Sequence, residues 1–361
     1  MDKKIKILEI LPDIGSGGAE RLVLDICRLI DKSKFEILLV SLYGESSCAD
    51  IYRDSLKNIR CVFLDKKPGI DFSMISKLKR LIRNEKPHIV HSHLYATLYA
   101  AAAALLCRVP RIIHTVHTLA QNELGFLHKK LISYFYHHQK LVPVAISPAV
   151  ARSIAEVYKL QPGKIVTINN GVDLSRFLNY RDKIPHDDIR FISVGRFSKD
   201  KNHRLLINAF SKVHKAYPST FLYLLGDGVL KPQIEAQISE LGLSDCVFSP
   251  GVMQNVEDYF KESDIFVLSS DYEGFGLVLI EAMSAGLPVV ATKSGGPQDI
   301  ITDGVEGYLT EVGNEAMLAE RMVSLIESAS TRTDMSLKAI SRAADFDISK
   351  TVLQYEELFL R

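Results

Sequence analysis

Residues 264–292 read DIFVLSSDYEGFGLVLIEAMSAGLPVVAT: a short β-branched run, a glycine-broken loop, an apolar helical stretch and a second β-branched run. Two buried strands joined through a helix, with no hairpin turn between them, are the pattern of a parallel sheet. The helix is expected to start at about Leu277, which leaves Glu273 in the loop and puts Glu281 in the second helical turn. A hydrolase pair acting by double displacement would hold its carboxylates ~5 Å apart, whereas eight residues of helix span ~12 Å. Two glutamates so spaced suit two parts of one extended ligand; the alternative is that Glu281 pairs or caps inside its own helix. Gly274 and Gly276 free the backbone, and the amides of Phe275, Gly276 and Leu277 are the orphan donors of a helix start.

The same alternation runs back along the chain. IKILEIL, FEILLVSLY, IRCVFL, HIVHSH, RIIHTVH, LVPVAI and KIVTI precede it, and DIRFISVG, TFLYLLG and CVFSPG follow a polar interruption, NYRDKIPHDD. The expected fold is therefore α/β, two doubly wound Rossmann-like domains with parallel sheets: residues 1–178, a linker at 179–188, and residues 189–345. A last helical pattern within 346–361 has no strand after it and could pack on either domain. Such folds bind ligands outside the carboxyl ends of their strands, so the strand-to-helix loops are where chemistry is expected.

Charge separates the two halves. Residues 1–180 hold 26 Lys and Arg against 16 Asp and Glu, and the remainder 18 against 27. A basic half suits an anionic partner, a phosphate-rich molecule or a membrane surface, unless it is an ordinary solvated lysine-rich face. The five cysteines are scattered without a C-x-x-C, which argues against a disulfide framework or a thiolate metal site and fits a reducing cytoplasm. No apolar run reaches the length of a membrane span, and Glu9 interrupts the first one, so neither a signal peptide nor an anchor is expected.

Two further loops carry signals. Asp13 to Glu20, DIGSGGAE, opens a helix with Gly17 and Gly18, either to let a ligand approach or as a plain tight turn. It is not a dinucleotide fingerprint, because Glu20 stands where the third glycine would be. Ser193 to Asn202, SVGRFSKDKN, delivers Arg196 and Lys201 near a helix start, where cations oppose the helix dipole unless an anion is bound. A diphosphate would use the fork of Arg and the point charge of Lys together.

Taken together, E-x7-E at Glu273–Glu281, the following AMSAGLPVVAT, GR-x4-K at Gly195–Lys201 and the glycine pair at 17–18 resemble the retaining nucleotide-sugar glycosyltransferases of family four, over essentially the whole chain. The resemblance implies the GT-B fold, two such domains facing across a cleft, with the last helix crossing back onto the first. It implies that Glu281 binds the ribose, that Glu273 faces the transferred sugar, that the amides of Phe275 to Leu277 contact sugar and phosphate, and that Arg196 and Lys201 neutralise the diphosphate. It puts the base near Pro250 to Met253, with Val252 as the contact, and His117 beside the sugar. Asn169 stands where such enzymes commonly have proline.

Eight of the eleven histidines precede residue 180, and His91, His93, His114 and His117 cluster at strand ends. Buried or capping histidines are commoner than ligands, and no carboxylate or cysteine lies at ligand spacing, so no metal is expected. His93 and Asn170 are the acceptor-side candidates. The only D-x-D, Asp345 to Asp347, reads as a helix boundary rather than a divalent-ion site. GFLHKKLISYFYHH (125–138) mixes aromatic and basic residues; it suits an anionic membrane, or equally a helix packed by Leu127, Leu131 and Tyr134.

The expected activity is transfer of a sugar from a nucleotide diphosphate, uridine by expectation, to a hydroxyl acceptor of the lipid-diphosphate-linked kind, in bacterial polysaccharide or lipid-linked glycan assembly. No cofactor beyond that co-substrate and no nucleic acid enters this reading. It places the enzyme in the cytoplasm, at the inner membrane face. The rivals are a nucleotide-sugar epimerase on the same fold and a catalytically silent sugar-nucleotide-binding subunit.

Overall fold

The computed structural model describes residues 4–15, 17–47, 53–180, 186–253 and 255–361. The chain divides into two compact units, Met1–Gly171 with Ile348–Arg361, and Val172–Asp347. The change of unit falls ahead of the expected linker at 179–188, of which residues 181–185 lie outside those described. Val172 to Phe177 go with the second unit, where the buried Phe177 ring meets Phe260 at 6.1 Å.

In the first unit the strands are β1 (Ile5–Leu11), β2 (Phe35–Ser41), β3 (Cys61–Phe63), β4 (Ile89–His93), β5 (Arg111–Val116), β6 (Val142–Ala145) and β7 (Val166–Thr167). They pair in parallel in the order β3-β2-β1-β4-β5-β6-β7. The chain winds outward from β1 and then reverses to β4, so β1 and β4 flank the topological switch point. Their registered pairs include Glu9 with His91.

The second unit repeats the plan with β8 (Ile189–Val194), β9 (Thr220–Leu225), β10 (Val247–Gly251), β11 (Ile265–Leu268), β12 (Val289–Thr292) and β13 (Gly307–Thr310), ordered β10-β9-β8-β11-β12-β13. Here β8 and β11 flank the switch point. The sequence reading did not find β13, a four-residue edge strand that takes its register from β12.

The terminal helix Ile348–Leu360 belongs to the first unit. Val352, Tyr355 and Phe359 are buried in the core that contains Ile7, Phe35 and Ile113. Arg111 donates to the carbonyl of Leu358 at 2.6 Å, and Glu356 accepts from the Asp31 amide at 2.7 Å. Asp345 lies in a short 3-10 turn ahead of that helix and pairs with Arg342 at 2.9 Å.

Candidate functional site

In the second unit the loops leaving β8 and β11 are bound to each other. After Gly195 the buried Phe197 anchors the β8 loop, and the aliphatic stem of Lys201 runs beside Gly195. Asn202 adopts a left-handed conformation with φ of 45°. Its Oδ1 caps the helix His203–Ala216 by accepting from the Leu205 amide at 3.2 Å, while its Nδ2 donates to Asp271 at 2.8 Å. The Asp271 amide donates to the carbonyl of Asp200 at 2.7 Å, and Ser269 Oγ to the carbonyls of Lys201 and Asn202. Lys201 Nζ thereby meets Glu273 in an ion pair, with Arg196 exposed on the same loop.

Glu273 is fixed through its backbone. Its amide donates to Ser294 at 2.9 Å and its carbonyl accepts from Gly296 at 2.8 Å. A Cβ on Gly296 would lie 2.2 Å from the carbonyl oxygen of Phe275, so only glycine allows this approach. The helix Leu277–Ser284 starts from Gly276, at φ 103°, with no side-chain cap, so its first N–H groups and positive dipole end are presented by backbone alone. Glu281 is buried in the second turn of that otherwise apolar helix. Val252 is exposed just beyond β10. Lys201, Glu273 and the glycine-started helix are thus brought together; Arg196 lies on the Lys201 loop and Glu281 on that helix, while Val252 lies on the separate loop after β10.

In the first unit Gly17 caps and Gly18 opens the helix Gly18–Leu29, again without a side-chain cap. At the β1/β4 switch point lies a carboxylate that the sequence reading missed. Glu9 is fully buried between two histidines, with Oε2 2.9 Å from His91 Nδ1 and 2.9 Å from His93 Nε2. His93 Nδ1 is 2.8 Å from His117 Nε2, and His91 Nε2 is 2.8 Å from Thr115 Oγ1. The expectation that no carboxylate stands near these histidines is therefore corrected: Glu9 comes from a strand 82 residues away.

The electrostatics follow from this burial. Burial alone would raise the Glu9 carboxyl, but the charge of His91 and hydrogen bonds from His91 and His93 outweigh it and hold the group at about 2. Burial, helped by His91, lowers His93 to about 4 against the opposing pull of Glu9. Burial and the neighbouring histidines likewise hold His117 well below the usual range. Glu9, His91 and His93 bring ligand atoms within 4.8 Å of one another, as a metal site would. Yet each of these nitrogens already shares a proton with Glu9, Thr115 or His117, so the donor set is spent on itself.

His93 was expected to line the acceptor side, but it sits behind His117, fully buried with both nitrogens engaged, and has no atom left for an acceptor. Asn170 is also buried, and its Oδ1 has no hydrogen-bond partner among the described residues. The helix Phe126–His137 corrects one of its two readings: Leu127, Leu131 and Tyr134 are not its buried face, being 76%, 43% and 57% exposed, while Ile132 and Tyr136 are buried. None of the described helices is long and apolar enough to cross a membrane.

Two family models account for nearly the whole chain, "Glycosyltransferase Family 4" over residues 16–176 and "Glycosyl transferases group 1" over residues 178–342. The chain belongs to the family-four glycosyltransferases. A curated relative from Campylobacter jejuni is an N-acetylgalactosamine-N,N'-diacetylbacillosaminyl-diphospho-undecaprenol 4-alpha-N-acetylgalactosaminyltransferase, 28% identical over 95% of this chain and 96% of that protein. An Escherichia coli UDP-Gal:alpha-D-GlcNAc-diphosphoundecaprenol alpha-1,3-galactosyltransferase is 25% identical over 99% of this chain and 97% of its own. Among solved structures, Anabaena Alr3699/HepE in complex with UDP and glucose matches with a TM-score of 0.85 at 21% identity, over 98% of this chain and 99% of that one. This family-four chain has the GT-B fold and is a glycosyltransferase; the epimerase and silent-subunit readings are not favoured.

Proposed function

We propose that the chain transfers a sugar from a uridine-diphosphate donor to a hydroxyl of a lipid-diphosphate-linked acceptor, with retention of anomeric configuration, in bacterial glycan assembly at the inner face of the membrane. The observation that carries this reading is the joined pair of loops at the β8/β11 switch point, which sets a lysine, a carboxylate and an uncapped helix start side by side. Lys201 and Arg196 take the diphosphate, and the helix start at Gly276 and Leu277 adds its N–H groups as charge develops on the leaving oxygen. Glu273 and the Phe275 amide hold the sugar, Glu281 the ribose hydroxyls, and the backbone at Val252 the base. In the first unit, Gly17 and Gly18 approach the donor and His117 contacts the transferred sugar, while Asn170 serves the acceptor side. The two relatives whose names carry a diphospho-undecaprenol acceptor support the acceptor class.

Titrating the purified chain with uridine diphosphate and a panel of its sugars, without added metal, tests the donor. A ligand at 100 times its dissociation constant adds about 2.7 kcal/mol of stability. Stabilisation by uridine diphosphate that disappears in Glu281→Ala is the expected result; none across the panel sinks the donor assignment. Transfer to a polyprenyl-diphosphate sugar, with the product anomer read by NMR, tests the rest, and an inverted product overturns retention.

A further inference from the structure

We propose that Glu9 is a positioning residue: through His93 it fixes which nitrogen of His117 carries the proton, leaving His117 Nδ1 as a bare acceptor for a hydroxyl of the transferred sugar. The inference rests on the placement of His117 beside that sugar proposed above. Proton counting along the network gives the direction of each bond. An ionised carboxylate only accepts, so the His93 nitrogen 2.9 Å from Glu9, Nε2, must carry a hydrogen. A neutral imidazole has one N–H, so His93 Nδ1 is a lone pair. That lone pair faces His117 Nε2 at 2.8 Å, which must therefore donate. What remains on His117 is an unprotonated Nδ1, and this atom is buried with no hydrogen-bond partner among the described residues.

A second arm converges on the same carboxylate. Tyr355 Oη is 3.1 Å from Thr115 Oγ1, which is 2.8 Å from His91 Nε2, and His91 Nδ1 reaches Glu9. Both arms end on one acceptor, so Glu9 requires a hydrogen on His91 Nδ1 as well as on His93 Nε2. Burial lowers His93 to about 4, which keeps it neutral at working pH. Without the carboxylate nothing distinguishes a proton on His93 Nδ1 from one on His117 Nε2, and the reversed arrangement would turn the unpartnered His117 Nδ1 from an acceptor into a donor.

The test is the 15N imidazole spectrum of the full chain labelled at histidine, at neutral pH and without substrate, assigned with His93→Gln and His117→Gln. Failure here is distinguishable from failure of the donor and acceptor assignments, because no ligand is involved. His93 and His117 are expected as Nε2–H tautomers with unprotonated Nδ1, and His91 Nδ1 is expected to carry a hydrogen. In Glu9→Met the His117 signal is expected to move to the average of two tautomers. A proton on Nδ1 of His117 in the natural chain overturns the proposal, and that spectrum alone decides if Glu9→Met does not fold. In transfer assays Glu9→Met should lower kcat about tenfold with KM for the nucleotide sugar little changed. It should cost nothing more in a His117→Gln background. Additive losses, or an unchanged His117 tautomer in Glu9→Met, would mean that Glu9 only supports packing.

Discussion

The side-chain amide of Asn202 donates to Asp271 at 2.8 Å, and this bond ties the loop that carries Lys201 to the loop that carries Glu273. Asn202→Gly keeps the left-handed backbone but removes both this bond and the helix cap. It should cost about 1–3 kcal/mol, since a hydrogen bond to a charged group is lost along with part of a cap. The urea midpoint of the second unit should fall, and transfer activity should fall with it as Lys201 loses its register. An unchanged midpoint would show that the loops hold together without Asn202.

Lys201→Ala separates chemistry from stability. Its ion pair with Glu273 leaves the two side chains only 20% and 14% exposed, so the variant also loses some folding stability, which is measured beside the rate. Its loss from a developing diphosphate charge should cost about 2–4 kcal/mol in the transition state, roughly 30- to 1,000-fold in kcat/KM. Steady-state kinetics beside a denaturation curve check this. A rate loss no larger than the stability loss would remove Lys201 from the diphosphate site.

Gly296→Ala should be severe for a residue with no side chain to lose. The new Cβ would meet the Phe275 backbone at 2.2–2.5 Å, so the two loops must part. A loss on the order of 2 kcal/mol or more, with donor-induced stabilisation weakened, is expected. A variant with full nucleotide affinity would mean that the Phe275 amide is not a ligand contact.

The parallel architecture was legible because its signal is local: short β-branched runs alternate with amphipathic helices, and the E-x7-E loop fixes one switch point. What was missed depends on pairing between distant segments. β13 is four residues long and takes its register from β12. Gly296 matters only because Phe275 passes over it. Glu9 reads locally as a blemish in an apolar strand, although a buried carboxylate must find partners, and its partners are placed by the β1–β4 register. The exposure of Leu127 and Tyr134 was likewise beyond a helical pattern that Ile132 and Tyr136 satisfy from another face.

Acid should destabilise the first unit in two stages. His93, lowered from 6.5 to about 4, takes up its proton more readily when unfolded, so its contribution is complete above pH 6.5 and is lost as the pH falls towards 4. His117, lowered in the same direction, adds to that loss. Glu9, held near 2 against 4.5, contributes stability that is lost from pH 4.5 down to 2. Each group changes the unfolding free energy by up to about 1.4 kcal/mol per pH unit within its window. His117→Gln should flatten the dependence of stability on pH between 6.5 and 4, measured by urea denaturation across that range. An equally steep dependence in that variant would show that His117 titrates normally in the folded chain.

The helix Phe126–His137 presents Phe126 and Leu127, 71% and 76% exposed, beside His128 and Lys130, with Lys130 Nζ 4.6 Å above the Phe126 ring. Apolar side chains next to cations suit an anionic bilayer surface, where the rings enter the headgroup region and the ammonium stays with the phosphates. A lysine near such a surface contributes about 1 kcal/mol, so Lys130→Ala should weaken binding to vesicles containing phosphatidylglycerol about fivefold. Phe126→Ser combined with Leu127→Ser should weaken it at least tenfold, through lost apolar burial. Salt should weaken the charge contribution and leave the apolar part. Flotation with anionic and with zwitterionic vesicles checks both, and equal recovery on the two would mean that the basic face does not read membrane charge.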